Sequence, residues 1–299
     1  MRPVRPDDDR GAASVFVIVA MTAILLGAGL AIDVGQYVVE ARSAQNTADA
    51  TVLAVATDCA RTGSAVGSYA QYRQPGQTVS GTTCGGGVAT VTATRDVEGR
   101  LLQLTAGAVS RSAEARWGTL ASAPVAPIVL SSCEFSQALL DGTAEVVFYL
   151  DDTRPQTGCS SLPGGFSQLA SSGCETTVTA GSTAPGDPGA DLQKVVACIT
   201  SPTGPALPFD VMVPLYDSAA CAASGCTGRG PYPIRGFAAL RITGYSFNGN
   251  NNDGTLGRNC PDRTRGRYCL QADFVRFTTS LGTPGSSGDF GVTRVYLSR

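Results

Sequence analysis

Histidine is absent from the 299 residues. That removes every Ser-His-Asp or Cys-His nucleophile pair, the His-Glu-x-x-His zinc motif and any histidine general base. Lysine occurs once, at Lys194, and charged side chains make up only 15% of the chain, with a net charge of −2. With no basic field, nucleic acid is not expected as a partner, and with no acidic tract there is no charged tail. No internal repeat is visible, and strands do not alternate regularly with helices, which argues against a doubly wound parallel sheet. No cofactor is implied.

The most prominent feature is an apolar run. Residues 13–32 carry no charge, and Asp33 ends the stretch. About 20 apolar residues suffice to cross a hydrocarbon core as a helix. A cleaved signal peptide is the competing reading, but its apolar region is shorter, about 7–15 residues. The length favours an uncleaved transmembrane helix over 13–33 with the lipid bilayer as its first partner. Arg2, Arg5 and Arg10 precede the span, and the next basic residue is Arg42. The positive-inside rule then keeps residues 1–12 in the cytoplasm and sends the rest outside.

Ten cysteines form the second feature: Cys59, Cys84, Cys133, Cys159, Cys174, Cys198, Cys221, Cys226, Cys260 and Cys269. All follow the span. An even number on the outer side of a membrane reads as disulfides, whose connectivity the sequence leaves open. The 36 glycines and 17 prolines favour turns and short strands beyond the first helix.

Past Asp33 the helical period continues. Val34, Val38, Ala41, Gln45, Ala48, Val52 and Val55 recur at spacings of three and four. This stripe either packs on the chain's own ectodomain or on a partner helix. The extension helix is expected over 34–73, then a small β region over 74–120. Residues 88–94 alternate apolar side chains with threonine as a half-buried strand should, with 101–106 and 109–115 as neighbours. Cys59 and Cys84 bracket the crossover from helix to sheet, where a bridge would fasten one to the other. Residues 121–127, rich in Pro and Ala, are a candidate linker. A β-rich extracytoplasmic domain is expected over 128–299, with strands at 145–150, 209–216, 237–247, 272–279 and 290–297. A short helix is expected at 191–199, with Asp191 as its cap. Phe209, Val211, Val213 and Leu215 take one face of their strand, and Pro214 marks it as an edge strand or its end. The fold class is therefore α+β: a transmembrane helix running on into a long amphipathic helix, then a disulfide-rich, mainly antiparallel β ectodomain.

One segment carries a resemblance. Arg10-Gly11, the apolar span, Asp33-Val34-Gly35, Arg42, Gln45-Asn46-x-Ala48-Asp49-Ala50 and Leu53-Ala54-x-Ala56 follow one another in order. This pattern resembles the N-terminal module of TadE/TadG-like proteins of the tight-adherence (Flp) pilus assembly system. The resemblance implies a membrane-anchored, non-enzymatic component whose partners are other pilus-assembly membrane proteins, and it marks Gly11, Asp33, Gly35, Arg42, Gln45, Asn46 and Asp49 as family-motif positions. Pilin-like members are cut after a Gly and carry Glu five residues later. Five residues on from Gly11 stands Phe16, which speaks against that cleavage and places the chain nearer the TadG side. Some TadG proteins carry a metal-binding Asp-x-Ser-x-Ser motif. Here Asp151-x-Thr153-x-Pro155 lacks the last hydroxyl. In helical terms, Asp33 stands where the helix would leave lipid, Gly35 permits a close backbone approach, and Gln45 and Asp49 form an i,i+4 pair.

The remaining chemistry has ordinary readings beside it. Asp141, Glu145, Asp151 and Asp152 could supply a carboxylate pair for glycoside hydrolysis, the alternative function being a surface glycan-binding or glycan-hydrolysing protein. Asp151-Asp152 before Thr-Arg-Pro is also how a strand enters a turn. Residues 248–254 look like a calcium loop, but Asp253 stands where Gly is needed and Asn259 where Glu is needed, so a hairpin tip explains them better. Cys221, Cys226, Cys260 and Cys269 could make a four-thiolate zinc site, although outside a cell disulfides are favoured.

Overall fold

The computed structural model describes residues 10–67, 69–97, 107–135, 145–149, 166–187, 198, 206–224, 230–247, 252–254, 256, 260–262 and 268–298. The chain divides into two compact units. The first comprises residues up to Cys59, then Gly63–Arg116 and Leu297–Arg299; the second comprises Ala60–Thr62 and Trp117–Tyr296. The fold is α+β, with one long apolar helix followed by mainly antiparallel strands and disulfides.

The first unit is built on helix α1 (Arg10–Thr62). The stretch Ala13–Thr62 is long and apolar enough to cross a membrane, by length and composition. The helix ends earlier than the expected 73. Gly63 adopts φ +76° and its N–H donates to the Cys59 carbonyl at 2.9 Å, a left-handed glycine stop that leaves the helix no continuation. Among the described residues, a single 3₁₀ turn, Ala70–Tyr72, follows before the strands.

Strands β1 (Gln77–Ser80), β2 (Val88–Val97) and β3 (Gly107–Gly118) pair antiparallel in sequence order. The expected alternation is present in β2: Ala89, Val91, Ala93 and Val97 are buried, while Thr90 is exposed. The neighbouring strand expected at 101–106 lies outside the described residues. Gly81, at φ +85° between β1 and β2, has space for no side chain, since a Cβ would stand 2.7 Å from the Thr90 carbonyl oxygen.

The second unit centres on β10 (Phe209–Tyr216) and β11 (Tyr232–Ser246), paired antiparallel from Phe209–Ile242 to Tyr216–Ile234. They lie inside a large sheet with β5 (Ile128–Ser131), β6 (Val146–Tyr149), β7 (Phe166–Gln168) and β13 (Cys269–Val275) in the order β6-β13-β11-β10-β5-β7. Both faces of this pair are covered. Val213, Leu215, Leu240 and Ile242 join Phe148, Phe247, Leu270 and Phe274 in one core. Met212, Tyr216, Phe237 and Ala239 join a second core with residues of β4 (Leu120–Val125) and β8 (Thr176–Thr179). These last two strands form a small sheet with β15 (Thr283–Pro284). Strands β14 (Phe277–Thr279) and β16 (Val292–Ser298) pair parallel. A short helix, α2 (Ser218–Ser224), is capped by Asp217, whose Oδ1 accepts from the backbone N–H of Ala219 and Ala220.

Several expectations need correction. The 121–127 stretch is no linker: Leu120, Ala123 and Val125 are buried, and β4 pairs with β8 from Ser122–Thr179 to Val125–Thr176. Strand β10 is no edge, since it runs between β11 and β5. Proline is tolerated because of where its missing donor falls. The Met212 carbonyl accepts from Ala126 on the β5 side. Residues two apart point the same way, so Pro214 turns its ring nitrogen to that side too. There β5 pairs only with Leu215 and Tyr216. The 248–254 stretch is a hairpin at its described end: β12 (Asn252–Gly254) pairs with β11, placing Asp253 opposite Tyr245. The expected helix at 191–199 falls outside the described residues except for Cys198.

Candidate functional site

One face of α1 is committed to the first unit. Ala41 and Ala44 pack with Val97 of β2 and Val109 of β3. Further along, Ala48, Val52 and Val55 are fully buried, as that stripe's spacing predicts. A polar lattice fixes the same face. Gln77 is buried; its Oε1 accepts from Thr47 Oγ1 at 2.6 Å and its Nε2 donates to Ser43 Oγ at 3.0 Å. Ser43 Oγ in turn donates to Gln74 Oε1 at 2.9 Å. Arg95 Nη1 lies 2.9 Å from Glu40 Oε2. No sequence pattern announced this lattice, because it depends on which strand residues register against the helix.

The family-motif positions divide between the two faces. Asp33 is fully buried in the fold, not set in open interfacial water. Its helix face also carries the buried Gly29, one turn before it, and it is not left without a polar partner. Gly35 is exposed, while Gln45 and Asp49 are half-buried. Arg42 and Asn46 are exposed. Gln45 Nε2 donates to Asp49 Oδ1 at 2.8 Å, the i,i+4 pair read from the sequence. A Cβ placed on Gly35 would meet nothing within 4 Å, so among the described residues the close approach that this glycine permits is not used. Gly11 lies in the first turn of α1. Val34 and Val38 are also uncovered, so the stripe expected to pack as one unit splits: its upper half is buried and its lower half open.

Farther up, the outward face becomes one wall of a groove of about 450 Å³. Ala50, Leu53, Ala54 and Thr57 of α1 form that wall, with Tyr69 and Tyr72 across from them. Tyr69 holds φ +29°, unusual for a tyrosine, and its hydroxyl donates to Asp58 Oδ2 at 2.8 Å. Burial, then the bond to Asp58, pushes the Tyr69 hydroxyl pKa up, so it stays protonated as the donor. Gly67 is needed beneath the ring, since a Cβ there would lie 2.9 Å from Tyr69 Cε1.

Of the carboxylates that could supply an acid–base pair, only Glu145 is among the described residues. Asp141, Asp151, Asp152 and the Thr153 and Pro155 positions lie outside the described residues. Glu145 accepts a hydrogen bond from Gln271 Nε2. Across the large sheet, Asp210, Arg241 and Asp273 stand in register on β10, β11 and β13. Arg241 Nε donates to Asp210 Oδ1 at 2.8 Å and Nη2 to Oδ2 at 3.0 Å, a bidentate pair. Burial, then the Glu145 charge, raises the Asp273 pKa, with Arg241 pulling the other way. Among the described residues, no three Cys, Asp or Glu side chains gather as metal ligands.

The cysteines are bridges. Cys59–Cys84 joins α1 to the loop before β2, the bond that their positions suggested. Cys174–Cys198 and Cys260–Cys269 are also closed. Cys133 and Cys221 are disulfide-bonded as well. Cys159 and Cys226 lie outside the described residues. With Cys260 and Cys269 bonded to each other, the four-thiolate zinc arrangement has lost half its ligands.

The outward residues of α1 fall within a recognised segment. Residues 11–58 match the Tad family model, Flp pilus-assembly TadE/G-like. The TadE/G-like segment is about a sixth of the chain and takes in nearly all of α1 and none of the strands. No curated protein and no solved structure matches the chain.

Proposed function

We propose that this chain is a non-enzymatic, single-pass membrane component of tight-adherence (Flp) pilus assembly or a related secretion machine. The N-terminal tail is cytoplasmic, 13–33 spans the bilayer, and the β-rich remainder stands outside as a contact module. The observation that carries this reading is the orientation of the TadE/G-like residues. Gly35, Arg42 and Asn46 turn away from the fold, on a helix whose earlier turns are apolar and bare. Residues that serve only the chain's own packing would turn inward. Phe16, five residues after Gly11, favours the anchored TadG kind over a processed pilin. The absence of histidine supports a non-catalytic role, since it removes the commonest general base.

Deleting the gene is expected to abolish or alter surface filaments and adherence, and restoring the full chain is expected to recover both. Normal filaments in the deletion strain would overturn the assignment. Orientation is tested separately: protease added to intact spheroplasts should digest residues beyond the span and spare a tag at residue 1.

A further inference from the structure

The groove beside α1 carries side chains that the anchored reading does not use. Its volume, about 450 Å³, lies within the roughly 300–1,000 Å³ typical of small-molecule sites. Thr57, Asp58, Tyr69, Gln71 and Tyr72 bring hydroxyl, carboxylate and amide groups to it, beside the apolar wall of Ala50, Leu53 and Ala54. None of the described residues lining it is Arg or Lys. One tyrosine is fixed and the other open. Tyr69 is 7% exposed, and its hydroxyl is bonded both to Asp58 and to the Gly67 backbone. Its positive φ is a state that a tyrosine keeps only where its surroundings hold it there. Tyr72 is 39% exposed, and neither its side chain nor that of exposed Gln71 is hydrogen-bonded to another described residue.

The lining selects among ligands. An anion would meet no cation here, and Asp58 would repel it. A cation would find a single carboxylate, one oxygen of which already accepts from Tyr69. A purely apolar side chain would strip water from five polar side chains and return no hydrogen bond to them. Lipid does not reach the groove: Leu53 stands about 30 Å beyond Asp33 along the helix axis, and the hydrocarbon core is used up before Asp33. What fits is a neutral molecule with an apolar face and hydroxyls around its edge. A pyranose ring has that form. Its C–H bonds lie against the electron-rich face of an aromatic ring, while its hydroxyls reach outward to amide and carboxylate groups.

We propose that the groove binds a neutral sugar unit of an extracytoplasmic polysaccharide, with the Tyr72 ring as its stacking face and Gln71 and Asp58 bonding its hydroxyls. The extracytoplasmic source and the exclusion of lipid rest on the membrane-anchored reading above; the binding itself does not. The groove holds one carboxylate, whereas glycoside hydrolysis takes a pair, so the site binds its ligand without cleaving it. Glu145, the described member of the carboxylates that suggested glycan chemistry, is not part of its lining.

The test titrates the full chain, held in lipid nanodiscs so that no sugar detergent competes, and reads binding by saturation-transfer NMR. The probes are maltotriose, tri-N-acetylchitotriose and the anionic trisaccharide sialyllactose. Saturable binding is expected for at least one of the neutral probes, with sialyllactose weaker by about tenfold or more. Tyr72→Ala should weaken the neutral probe about tenfold or more, and Tyr72→Phe, which keeps the ring, should stay within about threefold. Tyr37→Ala removes a tyrosine of the same 39% exposure outside the groove and should leave binding unchanged. An unchanged disulfide pattern on non-reducing gels shows that the variants fold. No saturable binding of either neutral probe, sialyllactose bound as tightly, or a Tyr72→Ala chain that binds as the parent does would overturn the proposal. Alkaline carbonate extraction of cells expressing the chain reads the anchor separately. A chain that pellets but binds no sugar sinks the groove and spares the anchor. A chain that is extracted yet binds sugar does the reverse.

Discussion

Phe148, Phe237, Phe247 and Phe274 are all nearly solvent-free in the second unit, whereas the face that α1 turns to the first unit is Ala41, Ala44, Ala48, Val52 and Val55. Each CH₂ withdrawn from water is worth about 0.8 kcal/mol, so the helix face gains far less per residue than a layer of phenylalanines. Small side chains bring the helix close but bind it weakly. The first unit compensates with directed bonds: Gln77 to Thr47 and Ser43, Arg95 to Glu40, and the Cys59–Cys84 bridge. The second unit spreads its cohesion over two apolar layers, one on each face of β10 and β11.

Substitutions in the full, detergent-solubilised chain should separate the two modes of cohesion. The largest effect is expected from Phe148→Ala, a loss of about 3–5 kcal/mol in the second unit, read from its chemical-denaturation midpoint. A loss under about 1 kcal/mol would mean that the aromatic layer is not the source of cohesion. Next comes the double replacement Cys59→Ser and Cys84→Ser. The closed loop has a sequence separation of 25. Opening it should cost about 3 kcal/mol and expose the last turns of α1 and β1 to hydrogen exchange, with β10 and β11 unchanged. Val97→Ala, on the thin helix–sheet contact with Ala41 and Ala44, should cost about 2 kcal/mol. Thr51→Val should act in the opposite direction. Thr51 Oγ1 is buried with no partner among the described residues, so replacing it with a methyl should gain about 1 kcal/mol.

The smallest expected effects are in pH dependence, and they oppose one another. The Ser298 hydroxyl, then Arg116, lowers the Glu114 pKa in the first unit. Its contribution is present above the unfolded-state pKa and is lost as pH falls through the lower folded value. Glu114→Gln should therefore flatten the acid limb of stability. Asp273 in the second unit is raised, chiefly by burial. The folded state then holds its proton longer, so stability falls as pH rises from the unfolded pKa to the folded one. Asp273→Asn should remove that fall. Titrations that moved both units in the same direction would contradict the assignment.

What the sequence made legible was whatever depends on local period. The apolar run, the alternation in β2, and the bounds of β10 with the face shared by Phe209, Val211, Val213 and Leu215 all follow from spacing that one strand or helix carries alone. What it concealed depends on a neighbour. Pro214 reads as an edge residue until β5 is seen to stop short of it. The Ala/Pro density of 121–127 reads as a linker until β8 is found opposite. Asp33 reads as interfacial until the buried side of its helix turn is known. The outward motif was half legible: the Gln45–Asp49 pair follows from spacing, but the direction in which Arg42 and Asn46 face does not. The groove was not legible at all, since it depends on the backbone of Tyr69.

The Cys59–Cys84 bridge has a mechanical consequence. Tension arriving along the helix from an anchored end crosses from Cys59 to Cys84 through the sulfur atoms and enters β2 directly. The intervening segment, with Tyr69, Tyr72 and β1, is left slack in parallel with that load path. Pulling on a tethered chain would strain the helix and the sheet, and of the groove's two walls only the tyrosine side would be spared.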